Sequence, residues 1–180
     1  IKLHDAGFRG EGMRVAVIDA GFQNVDRICV FDSLQLIGTH NVIYPGRSVY
    51  EADDHGTKVL SCMAANMPGI MVGTAPKASY LLIKSEDSDS EYPIEEDYWA
   101  AAVEYADSVG VDVISSSLGY FAFDADELSY DQSALDGKSS LISQAAHIAA
   151  QKGILMFCSA GNQFPFRCIG YSDGWVYYGR

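Results

Sequence analysis

Short apolar runs alternate along this sequence with longer amphipathic segments. The runs are rich in β-branched and aliphatic residues, which is typical of buried strands, and the amphipathic segments repeat apolar side chains at helical spacing. This alternation predicts an α/β fold with a mostly parallel sheet, flanking helices and right-handed crossovers. Strands are predicted at 15–18, 35–37, 78–83, 112–116 and 154–158, and helices at 58–66, 94–109 and 139–152.

The composition fits one folded domain and narrows the classes of function. The 180 residues are 48% hydrophobic and carry a formal charge of −12, which favours a packed core over disorder. The acidic balance argues against binding to nucleic acids or membrane surfaces, because both need clustered Lys and Arg. No apolar run is long enough for membrane insertion. The four cysteines are too few for a disulfide scaffold, and we expect Cys62 and Cys158 to be buried thiols.

Polar side chains follow the ends of three predicted strands. Asp19 ends the first strand, the Ser117-Leu118-Gly119 turn follows the strand at 112–116, and Asn162 follows the last strand. The carboxyl ends of parallel strands share one edge of a sheet, where ligands of open α/β folds bind. His55 stands at the head of a predicted helix, whose dipole is expected to favour the neutral imidazole. These groups supply a base, a carboxylate that orients it and an amide that stabilises an oxyanion, as acyl transfer requires.

Several blocks, taken in order, resemble the subtilisin-like serine peptidases, or subtilases. The resemblance implies a subtilisin-like fold in which Asp19 orients His55, His55 acts as general base and then acid, and Asn162 stabilises the oxyanion. The blocks are Val15-Ala16-Val17-Ile18-Asp19-Ala20-Gly21, His55-Gly56-Thr57-Lys58-Val59, Gly73-Thr74-Ala75-Pro76 with the strand that follows to Lys84, Asp112-Val113-Ile114-Ser115-Ser116-Ser117-Leu118-Gly119, and Ser159-Ala160-Gly161-Asn162.

The same resemblance implies where a polypeptide substrate binds. Ser117, Leu118 and Gly119 would pair with extended substrate backbone and line the primary specificity pocket, and Ala160 and Gly161 would form its opposite wall. This pocket carries no obvious charge, so apolar or small residues are expected beside the cleaved bond. The serines at 115–117 end a strand without a nucleophile elbow, so they are not expected to attack substrate.

The sequence also departs from the family pattern. Ala20 stands where the family has Thr or Ser, and Lys58 stands where it often has a second His. The Gly-Thr-Ser motif that carries the family's nucleophile does not occur in the chain. We therefore expect a C-terminally incomplete domain, in which 1–162 are the N-terminal part of the catalytic domain and 163–180 are an aromatic tail that does not align. The chain begins at Ile1 without a signal pattern, which predicts a processed or excised piece.

Two alternatives follow from the missing serine. The chain alone is expected to be inactive, with its nucleophile in a separate C-terminal segment. Alternatively, the domain is a non-catalytic pseudoprotease that binds extended peptides. An unrelated phosphate-binding α/β domain that uses Asp19 would need a glycine-rich phosphate loop, and neither common form of that loop is present.

The remaining expectations concern partners, charge and metals. The family resemblance implies secretion and a prodomain partner. The acidic run 85–91 suggests a preference for basic substrate residues away from the cut, carried by Glu86, Asp87, Asp89 and Glu91. No cofactor is predicted, and no His or Cys pair has the spacing of a zinc site. Some subtilases bind structural calcium, but Asp124, Asp126 and Glu127 lack EF-hand spacing, so no metal is assigned.

Overall fold

Helices and strands alternate through most of the chain. The computed structural model describes residues 2–51, 53–159 and 161, together with the backbone of 167–172 and 175–179. The elements are α1 (Lys2–Asp5), β1 (Arg14–Asp19), β2 (Gln35–Asn41), α2 (His55–Ala64), β3 (Asn66–Met67), β4 (Met71–Val72), β5 (Ser79–Lys84), α3 (Ile94–Val109), β6 (Val113–Ser116), α4 (Leu141–Gln151), β7 (Leu155–Cys158), β8 (Arg167–Ser172) and β9 (Trp175–Gly179).

A parallel sheet organises the described residues and confirms the predicted α/β fold. Its five strands lie in the order β2-β5-β1-β6-β7, so β1 is central. In the register of the sheet, Asp19 at the end of β1 lies opposite Lys84 at the end of β5. On the other side of β1, Ile18 pairs with Ser116 of β6. Three strand ends are thereby brought to one edge of the sheet.

Alternating side chains of β1 enter two hydrophobic clusters, one on each face of the sheet. Val17 packs with Leu60 of α2 on one face. Ile18 packs with Trp99 of α3 and with residues of α4 on the other face. Such burial removes apolar surface from water and stabilises the fold by roughly 25 cal/mol per Å². The strand that carries Asp19 is therefore fixed from both sides.

The helix ends follow ordinary capping chemistry. Helix α3 stops at Gly110, whose φ of 78° is the left-handed conformation that glycine adopts without strain. Helix α4 is shorter than predicted, because Ser140 acts as its N-cap and accepts a hydrogen bond from the Ser143 amide. Within the part of the chain that the structure describes, no helix combines the length and apolar character needed to cross a membrane.

Some sequence-based expectations were wrong. Strand β2 extends to Asn41, because its backbone pairs with β5 along its length. The helix predicted at 58–66 begins earlier, at His55, and ends at Ala64, and Asn66 belongs to the short antiparallel hairpin β3–β4. Cys62 and Cys158 are exposed, because Cys62 lies on the outer face of α2 and Cys158 ends β7, which is the last strand of the described sheet.

Candidate active site

A cleft of about 1130 Å³ opens at the carboxyl ends of β1, β5 and β6. The structure brings His55 together there with Ser117, Leu118, Gly119 and Gly161. Asp19 lies directly below, one residue before Ala20 of the cleft lining. The predicted site residues Ala160 and Asn162 lie outside the described residues.

A short hydrogen bond joins the predicted carboxylate and imidazole. His55 Nδ1 donates to Asp19 Oδ1 over 2.7 Å. The Asp19 side chain is fully buried, whereas the His55 side chain is 48% exposed toward the cleft. The Ala20 amide donates a second hydrogen bond to Oδ1 over 2.8 Å. Oδ2 of Asp19 has no partner among the described residues, which fits the lack of a hydroxyl on Ala20.

Burial and the hydrogen bond between Asp19 and His55 shift each of their two pKa values in opposite directions. Burial raises the pKa of Asp19, and the hydrogen bond from His55 partly offsets that rise. The same hydrogen bond raises the pKa of His55 above its ordinary value, against a smaller lowering by burial. The helix N-terminus was expected to favour the neutral imidazole, but the pKa of His55 is raised overall, because the hydrogen bond to the adjacent carboxylate is the largest contribution.

The start of α2 is built so that His55 reaches Asp19. The His55 amide, which is free at the start of the helix, donates to Asp53 Oδ1 over 2.6 Å. Gly56 lies against the end of β1: a Cβ there would stand 2.8 Å from the Cβ of Asp19 and from Cε1 of Phe22, and would also clash with the carbonyl oxygen of Gly21. Only a residue without a side chain permits this approach.

Sequence reasoning missed a buried lysine below the site. Lys84 is 6% exposed, and its ammonium donates to the carbonyl oxygens of Ala20 (2.6 Å) and Glu86. Burial lowers the pKa of Lys84. The ammonium holds the backbone that follows β1, and a single lysine at a strand end gives no sequence signal for that role.

Several serines of the cleft already have structural partners. The buried Ser116 accepts a hydrogen bond from Trp99 Nε1 over 2.9 Å. Ser159 donates to the Leu118 carbonyl over 3.3 Å, and Ser140 caps α4. Of the strand-end serines at 115–117, Ser116 thus has the structural role expected of it.

One of the acidic residues considered for calcium, Asp124, makes hydrogen bonds within the protein. Asp124 pairs with Glu91 through two hydrogen bonds, its amide donating to the Glu91 carbonyl and its carboxylate accepting from the Glu91 amide. No three His, Cys, Asp or Glu side chains are arranged to hold a metal ion in the described ranges. Calcium therefore stays unassigned.

Comparison with known proteins identifies the class to which this fold and site belong. The family model described as "Subtilase family" matches residues 10–173. The chain belongs to the subtilase family.

This chain covers only part of the length of its named relatives. The Major intracellular serine protease of Bacillus subtilis (strain 168) is 30% identical over 167 residues, which are 87% of this chain and 45% of that relative. Subtilisin BL of Lederbergia lenta is 27% identical over 161 residues, which are 88% of this chain and 51% of that relative. The chain thus spans about half the length of these curated relatives.

A solved structure shares the fold. The Prenylagaramide maturation protease PagA superposes with a TM-score of 0.63 at 21% identity, over 89% of this chain and 50% of that protein. At this identity the likeness supports the architecture of the described sheet and helices, and nothing finer.

Replacing Gly56 tests the close approach of α2 to β1. We expect Gly56→Ala to lower the free energy of unfolding by about 1–3 kcal/mol, because the added Cβ would clash with the carbonyl oxygen of Gly21 and with the Cβ of Asp19, which cannot move without the backbone. Urea unfolding measures the change. Gly38→Ala is the matched control, since its Cβ would make an ordinary 3.7 Å contact with Leu81. Equal losses in the two variants would contradict the constraint.

Removing the Asp19 charge tests the cause of the raised His55 pKa. We expect the imidazole of Asp19→Asn to titrate at lower pH than in the parent chain, because the largest upward contribution is gone. NMR titration of the His55 ring protons measures the midpoint. Asp54→Asn is the control, since Asp54 pairs with Lys58 rather than with the imidazole. An unchanged midpoint in Asp19→Asn would refute the assignment.

Proposed function

We propose that this chain is the N-terminal part of the catalytic domain of a serine endopeptidase that hydrolyses peptide bonds. The observation that carries the proposal is the 2.7 Å hydrogen bond between the buried Asp19 and the half-exposed His55, at the edge of a substrate-sized cleft. The nucleophilic serine lies outside this chain, as does the rest of the family's domain. Membership of the subtilase family supports this proposal.

The proposed mechanism assigns a task to each group. Asp19 holds Nδ1 of His55, so Nε2 is the nitrogen that takes the proton from the serine hydroxyl as it attacks the peptide carbonyl. The buried carboxylate then stabilises the imidazolium, which returns its proton to the leaving amine. Asn162 donates a hydrogen bond to the oxyanion of the tetrahedral intermediate. Ser117, Leu118 and Gly119 on one side, with Ala160 and Gly161 on the other, hold the substrate backbone.

The family resemblance also bears on the location and the partners of the proposed peptidase. The relatives include a protease named as intracellular, so secretion stays a prediction from family resemblance. A prodomain and the complementary C-terminal segment are proposed partners on the same ground. A pseudoprotease that binds peptides without cutting them is the alternative, because the chain contains no Gly-Thr-Ser motif.

Labelling with a fluorophosphonate, followed by intact-mass and peptide mapping, tests the triad. The complete polypeptide that carries this domain is expected to take one adduct, on a serine beyond residue 180. His55→Ala is expected to abolish the adduct, and Asp19→Asn to slow peptide hydrolysis on the order of 10⁴-fold, a magnitude known from other serine proteases.

Two results of that labelling would contradict the proposal. An adduct within residues 1–180 would refute a nucleophile outside this chain. A folded complete polypeptide that takes no adduct and cleaves no peptide would favour the pseudoprotease. The matched control is Ser117→Ala, which removes a cleft serine that we do not regard as the nucleophile and should keep the adduct.

The cleft wall beside Leu118 predicts specificity at the cleaved bond. Ile142 and Ala146 of α4 and the ring of Tyr130 line it, so an apolar substrate side chain is expected there. We expect Ala146→Phe to fill this space and to reduce kcat/KM about tenfold or more for substrates with a large apolar residue before the bond, while alanine substrates lose less. Ala101→Phe, on the exposed face of α3, is the control. Equal losses for both substrates would contradict this assignment.

A further inference from the structure

Asp53 lies just before His55, in the turn that leads into α2. Each oxygen of its carboxylate accepts one hydrogen bond. Oδ1 accepts from the His55 amide over 2.6 Å, and Oδ2 accepts from the Ser88 hydroxyl over 3.1 Å. Ser88 belongs to the loop between β5 and α3. One side chain therefore joins the backbone of His55 to a different segment of the chain.

The backbone of Asp53 is itself held in place. Its carbonyl oxygen accepts a hydrogen bond from the Gln23 amide over 3.1 Å. The buried Thr57 of α2 donates from its hydroxyl to the Gln23 carbonyl over 2.9 Å. Gln23 follows β1, the strand that carries Asp19. The turn that contains His55 is thus attached on both sides to the chain that leaves β1, and the Asp53 carboxylate starts from a fixed position.

Two carboxylates hold His55, and they act on different atoms. Asp19 holds Nδ1 of the ring over 2.7 Å, whereas Asp53 holds the backbone amide over 2.6 Å. The His55 side chain is 48% exposed, so its direction depends on these two hydrogen bonds. The ring and the backbone together decide where Nε2 points. A misplacement of about 1 Å can reduce the rate of an enzyme on the order of 100-fold.

The charge of Asp53 adds to its hydrogen bonds. The bond from the His55 amide lowers the pKa of Asp53, so the carboxylate is ionised at neutral pH. This charge contributes to the raised pKa of His55, after the larger contribution of Asp19. The neighbouring Asp54 differs, because its carboxylate pairs with Lys58 over 2.7 Å. Of these two adjacent aspartates, Asp53 is the one placed to orient His55.

We propose that Asp53 is a positioning residue for His55, because its carboxylate bridges the His55 amide and the Ser88 hydroxyl and so fixes the direction of Nε2. This inference rests on the proposed function. Asp53 orients the imidazole through the backbone and exchanges no proton with it. The bridge also connects the loop after β5 to His55, so the Ser88 hydroxyl supports the same orientation from the far side of the carboxylate.

Hydrolysis of a fluorogenic peptide by variants of the complete polypeptide tests this role. We expect Asp53→Ala to lower kcat about 10- to 100-fold with little change in KM, because the residues proposed to bind substrate are untouched. Asp53→Asn removes the charge but keeps an acceptor for the His55 amide, so it should restore most of kcat. Ser88→Ala should lower kcat less than Asp53→Ala does. Asp54→Ala is the matched control and should leave kcat and KM unchanged.

Three kinetic results would overturn the positioning role. If Asp53→Asn were as slow as Asp53→Ala, charge and not the hydrogen bond would be what matters. If Asp53→Ala and Asp54→Ala had equal kcat, the bridge would not orient His55. If kcat fell only in proportion to the folded fraction, measured by urea unfolding of the same samples, Asp53 would serve stability alone.

The NMR signal of the proton between His55 Nδ1 and Asp19 gives a second readout that needs no catalysis. Asp53→Ala should shift or broaden this signal, and Asp53→Asn should leave it near its parental position. An unchanged signal in Asp53→Ala would refute the positioning role whether or not the polypeptide cleaves peptides. A parent polypeptide that cleaves nothing but shows the expected shift would refute the proposed function and leave the orientation of His55 by Asp53 standing.

Ser88→Ala keeps the test available if Asp53→Ala does not fold. Ser88 is exposed, so its replacement removes the hydroxyl that Asp53 Oδ2 accepts from and little else. We expect a reduced kcat and a shifted His55 signal in this variant. If Ser88→Ala matched the parent in both measurements, the proposed bridge from the loop to His55 would be wrong.

Discussion

The burial of the Asp19 carboxylate is the constraint on which the rest of the site depends. A carboxylate without solvent is costly unless hydrogen-bond donors surround it. The donors are the His55 ring and the Ala20 amide, and the ring reaches Asp19 only because Gly56 lets the first turn of α2 touch the end of β1. The glycine thus serves the chemistry indirectly, since it sets the distance at which the imidazole meets the carboxylate.

The parallel register of β1 and β5 also places Lys84 where it can stabilise the backbone after Asp19. Because Asp19 lies opposite Lys84 in the pairing of β1 with β5, the lysine ammonium comes to the backbone that follows Asp19. Its hydrogen bonds to Ala20 and Glu86 tie the two strand ends together. The lysine therefore fixes the backbone beside the carboxylate, and the hydrogen-bond donors to the carboxylate itself are the His55 ring and the Ala20 amide.

The sequence predicted what is encoded locally and missed what long-range packing creates. The apolar runs and the polar residues at their ends predicted the sheet and the edge shared by Asp19 and Ser117–Gly119, because strand periodicity and parallel topology suffice for that. The position of His55 depends in addition on how α2 packs against β1. The role of Lys84 depends on the backbone after β1, which lies far from Lys84 along the chain. The net rise in the pKa of His55 was not predicted, because it depends on how closely the Asp19 carboxylate approaches the ring.

The strand order explains why the two sides of the cleft differ in chemistry. Strands β5 and β6 flank β1, so whatever follows each of them borders Asp19 and His55 from opposite sides. The chain after β6 leads toward α4, whose Ile142 and Ala146 are apolar, whereas the chain after β5 leads through Glu86 and Glu91 into α3. The hydrogen bond between Asp19 and His55 thus lies between an apolar stretch and an acidic stretch of the cleft lining. Glu86 of the acidic stretch contributes to the raised pKa of His55, so that side of the cleft also acts on the imidazole.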